Sequence, residues 1–484
     1  MRRRFDRLLW IFATLLALPW LAVAADAPPA HPQEPPPNAT PDAAPASAPS
    51  GVPTNHDGDY EMYKLLVDTI DQVERNYVTE VDRRELIEAA IRGVLGKLDP
   101  YSNYIGPQEL NRFRASVESE FGGIGIQIGF DGDQLRVLSP MYGTPAYRAG
   151  LLAGDRILDI DGKSTSGWTL DEVVEKLKGE EGKSVVLTVI HAGKEEREKI
   201  AVTRERIHVD TVLGDHRKPD DTWDYFLDPQ QRIAYVRVTA FSRDTASQLQ
   251  RVLTELQSEK LRGLILDLRF DPGGLLNAAI EVCDLFISDG RIVSTKGRNS
   301  PERTWDAKKE GTFEGFPMVI LVNRYSASAS EIVAACLQDH KRAVIVGERT
   351  WGKGSVQNVV DLENGKSALK LTTASYQRPN GKNIHRFPNA KETDEWGVMP
   401  DAGYEMKLGD GELATLVEDR RTRDILKPAD KNGSEKNGSD KNGTAAKAET
   451  PMKEAGSKEV AAAAVDRQLQ AAVTYLSTEL AKAQ

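Results

Sequence analysis

The sequence predicts a multidomain α/β protein with helices at both ends. Its 484 residues exceed what one hydrophobic core ordinarily serves, so we expect two or three domains. Two strand-like runs, RIAYVRVTAF and GLILDLRF, flank the amphipathic helical pattern SQLQRVLTELQSEK. This β-α-β order implies parallel strand pairing. A further apolar strand, FPMVILV, leads into EIVAACLQ, whose apolar residues have helical spacing.

The first 24 residues have the pattern of an export signal. Arg2, Arg3 and Arg4 precede the apolar run LLWIFATLLALPWLAVA, and the small residues at 22–24 form a cleavage site. We therefore expect an exported protein in the periplasm or cell envelope. The alternative is an uncleaved N-terminus that keeps the protein associated with the membrane.

The next two segments are a linker and a helical region. Residues 25–57 are rich in Pro and Ala and carry almost no large apolar side chains, which predicts a linker. Within residues 58–117, YEMYKLLVDTIDQVERNYV and RRELIEAAIRGVLGKL have apolar residues three and four apart. They predict two amphipathic helices.

Residues 118–205 are predicted to form a peptide-binding domain. The Gly-rich segment Gly122-Gly123-Ile124-Gly125-Ile126 is followed by AGLLAGDRILDIDG, then by a helix and a strand. This arrangement resembles a PDZ domain, which pairs an extended peptide with a strand edge. The resemblance implies that the Gly122–Gly125 loop receives the terminal carboxylate and that Ile124 and Ile126 line an apolar slot. The alternative for GGIG is a simple turn into a strand.

Residues 206–410 carry the candidate catalytic groups. Ser328 lies in the run Ser326 to Ser330 between a predicted strand and a predicted helix, where backbone N–H groups converge and can stabilise an oxyanion. Lys353 follows a second strand and stands between two glycines, in TWGKGSVQ. A serine nucleophile with a neutral lysine as base is a known catalytic pair. A tight turn with a helix cap is the non-catalytic alternative.

The stretch from Asn323 to Gln357 closely resembles the carboxyl-terminal processing peptidases, which are the tail-specific serine proteases of family S41. The resemblance implies a ClpP/crotonase-like α/β core, with Ser328 as nucleophile and Lys353 as general base. Gln357 would orient the lysine amine. Ser326 and Ser330 rank below Ser328 because the spacing of the family motif selects the middle serine.

The same resemblance implies an oxyanion hole. DLRFDPGGLLNAAIEVCDLF places a Gly pair between a strand and a helix. Carried over from the family, Gly273 or Gly274 would supply one N–H group and Ala329 the other. Many members have Asn before this Pro, whereas this chain has Asp271, which brings a carboxyl group to the loop.

Composition and histidine positions exclude several other functions. The net charge of −10 argues against nucleic-acid binding. The spacing of the histidines, and the absence of HExxH and of a Cys pair, predict no metal and no cofactor.

His385, in a polar turn, is the competing candidate for the base. Cys283 and Cys336 lie in apolar helical patterns and are expected in the core.

The C-terminal region is predicted to contain a second linker and a final helix. Residues 411–458 include the KNG repeats of a charged spacer. Residues 459–484 have a helical apolar pattern and are expected to dock on the core or on another subunit.

The sequence thus predicts an exported serine endopeptidase whose PDZ domain binds protein C-termini and whose Ser/Lys dyad cleaves polypeptides. The alternative is a catalytically inactive PDZ scaffold with a protease-like body. Whether an adaptor protein or self-association through the terminal helices takes part is left open.

Overall fold

The computed structural model describes residues 56–110, 113, 120–218, 222–299, 301–424 and 465–482. The predicted signal segment and most of both predicted linkers lie outside these residues. The chain divides into two compact units. The smaller holds the described residues of 23–113 together with 356–373, and the larger holds 120–355 and the described residues from 374 onward. None of the helices in the described part of the chain combines the length and apolar content that a membrane crossing requires.

The smaller unit begins with the two predicted helices. Helix α1 spans His56–Asn76, helix α2 spans Arg83–Leu95, and strand β1 follows at Asn103–Ile105. Asp82 starts α2 by accepting the N–H groups of Arg84 and Glu85 at 2.6 and 3.3 Å. The prediction of two N-terminal helices is confirmed.

Residues 120–208 form a β-module within the larger unit. Its main sheet runs in the order β3-β4-β5-β7-β8, with β6 on β5, and β2 pairs separately with β9. The strands are β2 (Glu120–Gly123), β3 (Ile126–Asp131), β4 (Gln134–Pro140), β5 (Arg156–Ile160), β6 (Lys163–Ser164), β7 (Ser184–Ile190), β8 (Glu198–Thr203) and β9 (Glu205–His208). Helices α3 (Pro145–Arg148) and α4 (Leu170–Leu177) complete the module. Its core contains the alternate apolar residues of these strands, among them Val185, Leu187 and Val189.

The rest of the larger unit is built on a parallel sheet with helices packed against it. Strands β14, β15, β18 and β19 pair in that order and in parallel, so the predicted β-α-β arrangement is confirmed. Strands β10 and β13 add to β14 in the antiparallel sense. The elements are β10 (Val212–Leu213), β11 (His216–Arg217), β12 (Trp223–Asp224), β13 (Phe226–Asp228), β14 (Ile233–Val238), α5 (Thr245–Ser258), β15 (Gly263–Asp267), α6 (Leu276–Asp284), β16 (Arg291–Lys296), β17 (Arg303–Asp306), β18 (Met318–Val322), α7 (Ala329–Asp339) and β19 (Val344–Gly347).

Burial explains why these strands are continuously apolar. Every residue of β14, β15 and β18 is buried, as expected for parallel strands covered on both faces. The carboxyl ends of β15 and β18 lie side by side, because Asp267 pairs with Leu321. The loops that follow these two strands therefore start next to each other.

A hairpin follows β19. Strand β20 spans Ser355–Leu362 and β21 spans Ser367–Gln377, joined by a turn at Glu363–Gly365. The turn contains the Asn364-Gly365 pair, a sequence that is typical of hairpin turns. In the smaller unit, β1 pairs with β21 at residues 368–370. In the larger unit, the last residues of β21 pair with β16, which also pairs with β17.

The structure of the C-terminal region contradicts one prediction from sequence and chooses between the two alternatives of another. Residues 411–424 were predicted to belong to a linker, but helix α8 spans Asp410–Asp424 and buries Leu413 and Leu416. Its few apolar residues among many charges give almost no helical periodicity, which explains the error. Helix α9 (Arg467–Lys482) packs Leu476 and its neighbours on the parallel sheet, against residues such as Ile265 and Val319. The final helix therefore docks on the core.

Candidate active site

Ser328 lies where the loop after β18 turns into α7. Its backbone angles, φ 55° and ψ −111°, are rare for a residue with a side chain. Such strain persists only where the surroundings impose it, and it is concentrated at functional sites. The residue is 1% exposed and directly precedes the N-terminus of a helix, where unpaired N–H groups favour negative charge.

The neighbouring serines have structural roles. The Ser326 hydroxyl donates to the carbonyl of Leu268 at 2.8 Å, and the Ser330 hydroxyl donates to the carbonyl of Asp271 at 3.0 Å. Both hydroxyls thus attach the loop after β15 to the serine turn. Because both hydroxyls already donate hydrogen bonds, the structure agrees with the lower rank of Ser326 and Ser330 as candidates for the nucleophile.

The loop after β15 brings the Gly pair against the serine turn. The Ala327 N–H donates to the carbonyl of Asp271 at 3.0 Å. A Cβ atom at Gly273 would lie 2.8 Å from the Ala329 nitrogen and 2.9 Å from the Ser328 Cβ, so this close approach requires glycine. The structure therefore brings Gly273 and Gly274 together with Ser328 and Ala329, which the sequence separates by more than fifty positions.

The two glycines differ in the state of their N–H groups. Gly273 donates its N–H to Asp271 Oδ1 at 2.8 Å. Gly274 lies opposite Phe241 in a parallel bridge, in which Phe241 bonds to the residues on either side of it. In such a bridge the N–H of Gly274 itself points away from Phe241. Gly274 is thus the better of the two candidates for an oxyanion donor.

Asp271 is an unusual member of this loop because its carboxyl group is fully buried. Oδ1 accepts the Gly273 N–H, whereas Oδ2 has no hydrogen-bond partner among the residues that the structure describes. Burial raises the pKa of Asp271 well above its ordinary value, and the bond from the Gly273 N–H and the nearby hydroxyl of Ser330 only partly oppose this. The group is therefore favoured in its uncharged form.

Lys353 lies in the loop between β19 and β20 and is 1% exposed. This loop is bonded to the serine turn, because the Trp351 N–H donates to the carbonyl of Ser326 at 3.0 Å. Gly354 allows the backbone of His385 to pass close by, since a Cβ atom at position 354 would overlap the His385 nitrogen.

Glu331 connects the lysine loop to the nucleophile turn, and sequence reasoning missed it. Its Oε2 accepts the N–H of Ser328 at 2.9 Å and the N–H of Lys353 at 2.8 Å. Its Oε1 accepts the N–H of Gly352 at 2.7 Å and the Thr350 hydroxyl at 2.5 Å. Burial raises the pKa of Glu331, and these four bonds oppose the effect. The available signal was the spacing S-x-x-E at 328–331, the pattern of a capping box.

Gln357 lies on β20 in the smaller unit and is buried. Its Nε2 donates to the Thr372 hydroxyl at 3.2 Å, and that hydroxyl donates to Asp99 at the same distance. The proposed role of Gln357 in orienting Lys353 stays a prediction.

His385, the competing base candidate, also lies near the lysine loop through its backbone. Its ring packs edge to face on Phe387, with 4.9 Å between the ring centroids. The two cysteines are buried, as expected.

The β-module corrects part of the predicted carboxylate loop. Gly122 and Gly123 belong to β2 and pair with Arg206 and Glu205, so the loop contains only Ile124 and Gly125. Ile124 is 2% exposed and belongs to the core of the module, so its side chain does not line an open slot. The sequence pattern did not indicate that β2 pairs with β9, which lies some eighty positions later in the chain.

The strand after this loop has an open side. Ile126 begins β3 and is only partly buried. Strand β3 is at the end of the main sheet, and within the described residues it pairs only with β4. Its free edge is suited to the addition of a peptide strand.

Comparisons with known proteins match three parts of the chain. The profile of peptidase family S41 matches residues 232–402, and a PDZ domain profile matches 136–190. The profile described as the activating protease CtpB N-terminal domain matches residues 43–108.

Several whole proteins are similar to this chain. The carboxy-terminal-processing protease of Bartonella bacilliformis is 39% identical over 378 residues, which cover 76% of this chain and 84% of the relative. Carboxy-terminal processing protease CtpA of Bacillus subtilis is 32% identical, over 70% of this chain and 72% of the relative. Among solved structures, a photosystem II D1 C-terminal processing protease is 30% identical with a TM-score of 0.42, and the match covers 74% of this chain and 96% of that one.

The extent and identity of the Bartonella match, together with the three profiles, are sufficient to assign the family. The chain belongs to the carboxy-terminal processing proteases of peptidase family S41, with a PDZ domain.

Proposed function

We propose that this protein is a serine endopeptidase in which Ser328 is the nucleophile and Lys353 the general base. The observation that carries the proposal is the shared hydrogen bonding at Glu331, where one carboxyl oxygen accepts the backbone N–H groups of both residues. Their backbone nitrogens are thus no farther apart than the sum of two hydrogen-bond distances. Two side chains whose backbone nitrogens lie this close can bring the serine hydroxyl and the lysine amine within proton-transfer distance.

The reaction proceeds in two acyl-transfer steps. The neutral amine of Lys353 takes the proton of the Ser328 hydroxyl as its oxygen attacks the peptide carbonyl. The protonated amine then gives that proton to the leaving amine. In the second step the neutral amine takes a proton from water as the water attacks the acyl-enzyme, and it returns this proton to the Ser328 oxygen as the acid product leaves. Because burial disfavours an ammonium ion, the position of Lys353 in the interior supports its use as a neutral base.

Backbone N–H groups stabilise the oxyanion in this mechanism. We assign this role to Ala329, at the start of α7, and to Gly274, because the Gly273 N–H already donates to Asp271. Such donors act in a dry, preorganised setting where each contributes strongly to the rate. Gln357 would hold the lysine amine in position.

The PDZ domain selects substrates by their C-termini in this proposal. The free edge of β3 pairs with the extended end of the substrate, and N–H groups of the Ile124–Gly125 turn receive its carboxylate. The names of the relatives from Bartonella bacilliformis and Bacillus subtilis describe carboxy-terminal processing, and we extend that activity to this chain. We further propose export to the periplasm or cell envelope, on the pattern of residues 1–24.

Degradation of an unfolded protein such as casein tests the dyad. We expect wild-type activity to be abolished in Ser328→Ala and in Lys353→Ala and to persist in His385→Ala. The exposed residues Ser247 and Lys309 provide the matched controls Ser247→Ala and Lys309→Ala. Activity that survives either dyad substitution would reject the mechanism, and loss in His385→Ala alone would assign the base to His385.

Three further measurements test the remaining parts. Rates on one peptide with a free or an amidated C-terminus should differ, and equal rates would remove the role of the carboxylate. A wild-type protein that binds C-terminal peptides but cleaves none would establish the inactive scaffold instead. N-terminal sequencing of the mature protein tests cleavage of the signal.

A further inference from the structure

The inference concerns Asp271, a buried acid that takes no part in the proton transfers described above. It lies between the Gly pair and the serine turn and makes contacts in both directions. Its carbonyl accepts the Ala327 N–H and the Ser330 hydroxyl, both at 3.0 Å, and its Oδ1 accepts the Gly273 N–H at 2.8 Å. The residue thus fixes the glycine loop on one side and the nucleophile turn on the other.

The bond to Gly273 determines which N–H group faces a substrate. It closes a turn of the Asx type, in which a side-chain oxygen accepts the N–H two residues later. Because the Gly273 N–H is held by this turn, the orientation of the next peptide, which carries the Gly274 N–H, is set as well. Phe270 in the same loop has a φ of 67°, so the loop is held under backbone strain and needs such a fixed contact.

The second oxygen indicates which form of the carboxyl group performs this role. Oδ2 is buried and lacks a hydrogen-bond partner among the described residues. A charged carboxylate with one unsolvated oxygen is costly, whereas an uncharged carboxyl group can still accept the Gly273 N–H through Oδ1. The uncharged acid therefore makes the same contact as an amide side chain would.

Several described charged groups near this loop bond to residues other than Asp271. At the end of β15, Arg269 bonds to Asp267 at 2.7 Å and to Asp466 at 2.8 Å, and Arg420 of α8 also bonds to Asp267. On α7, Glu331 accepts its four bonds from the serine turn and the lysine loop. None of these contacts places a cation on Asp271.

We propose that Asp271 is a positioning residue of the reaction: as an uncharged carboxyl group it holds the Gly273–Gly274 turn in the geometry that receives the oxyanion. Loss of its proton would place a charge in the dry loop and disturb that turn. The inference rests on the proposed function for its effect on rate. The contact with Gly273 is independent of that function.

The test compares wild type with Asp271→Asn and Asp271→Ala, and uses Asp289→Asn as a matched control because Asp289 is exposed. For peptide cleavage we measure kcat and KM from neutral to alkaline pH. We expect Asp271→Ala to lower kcat by about 100-fold with KM little changed, as for the loss of one oxyanion donor. Asp271→Asn should retain activity and lack the decline in kcat that we expect in the wild type as rising pH removes the proton of Asp271. Asp289→Asn should follow the wild type throughout.

Two results would overturn the inference. Wild-type kcat in Asp271→Ala would remove the positioning role, and identical pH profiles for wild type and Asp271→Asn would remove the requirement for an uncharged acid. Hydrogen exchange of residues 268–278 gives a readout that needs no turnover. We expect faster exchange in Asp271→Ala and wild-type protection in Asp271→Asn. If the wild type cleaves nothing, the proposed function fails, and equal protection in Asp271→Ala and wild type would then reject the positioning role separately.

Discussion

Glu331, one helical turn after the proposed nucleophile, accepts the backbone N–H of Lys353 at 2.8 Å. The same oxygen accepts the N–H of Ser328, so one buried side chain sets the spacing of the proposed dyad. Neither the nucleophile turn nor the lysine loop can move without breaking a bond to this carboxyl group. We therefore regard Glu331 as the central support of the site.

Replacing Glu331 by glutamine should impair both stability and rate. An amide has one acceptor oxygen, so its NH₂ group would face N–H donors and leave some of them unpaired. We expect the free energy of unfolding to fall by about 3 kcal/mol and kcat by about 100-fold. Urea unfolding and peptide cleavage measure the two effects. Glu302→Gln, at an exposed position, is the control, and an unchanged kcat in Glu331→Gln would contradict the role.

Replacing Lys353 by arginine should abolish cleavage at every pH. The guanidinium group keeps its proton throughout the accessible pH range and cannot accept one from Ser328. Peptide cleavage across that range provides the measurement, and circular dichroism checks that the variant folds. Lys309→Arg should behave as wild type. A Lys353→Arg variant with substantial activity would mean that another group, such as His385, is the base.

Asp271 should make stability depend on pH in a defined direction. Its pKa in the folded protein is raised above the ordinary value of 3.8, so the folded state binds the proton more tightly than the unfolded state. The stability from this group is complete below pH 3.8 and is lost as pH rises towards the folded pKa. Each unit of difference between the two pKa values is equivalent to about 1.4 kcal/mol.

The Asp271→Asn variant has no ionisable group at this position, so it should not show this loss of stability as pH rises. Its free energy of unfolding should exceed that of wild type by an amount that grows with pH above the ordinary value of 3.8. Urea unfolding at a series of pH values measures the difference. With Asp289→Asn the difference from wild type should stay near zero. A pH-independent difference for Asp271→Asn would show that its carboxyl group ionises normally in the folded protein.

Truncating Leu476 should destabilise the core although the residue lies near the C-terminus. Its side chain is completely buried against the parallel sheet, so Leu476→Ala leaves a cavity. We expect a loss of about 3 kcal/mol in the free energy of unfolding. Thr478→Ala, on an exposed face of the same helix, is the control for changes in helix propensity. Equal stability of the two variants would mean that α9 does not dock on this sheet in solution.

Local patterns explain why several predictions from sequence succeeded. The β-α-β order was recognisable because parallel strands that are covered on both faces must be apolar throughout, as β14 and β15 are. The hairpin of β20 and β21 likewise has a local sequence signal in its Asn-Gly turn. Helix α8 was missed because Leu413 and Leu416 are its only buried apolar residues, and such a short pattern is hidden among charges.

Motifs located Ser328, Lys353 and the Gly pair as candidates, because a strained turn, a proposed base and a close backbone approach each require particular residue types. By itself, the sequence determined the order of the domains and the identity of these candidates. Only the tertiary structure decided that Glu331 joins the serine turn to the lysine loop, that Asp271 holds Gly273, and that Gly122 and Gly123 belong to a strand. These contacts join residues that are distant in the chain or depend on the path of a loop, and their geometry follows from packing, which no local pattern records.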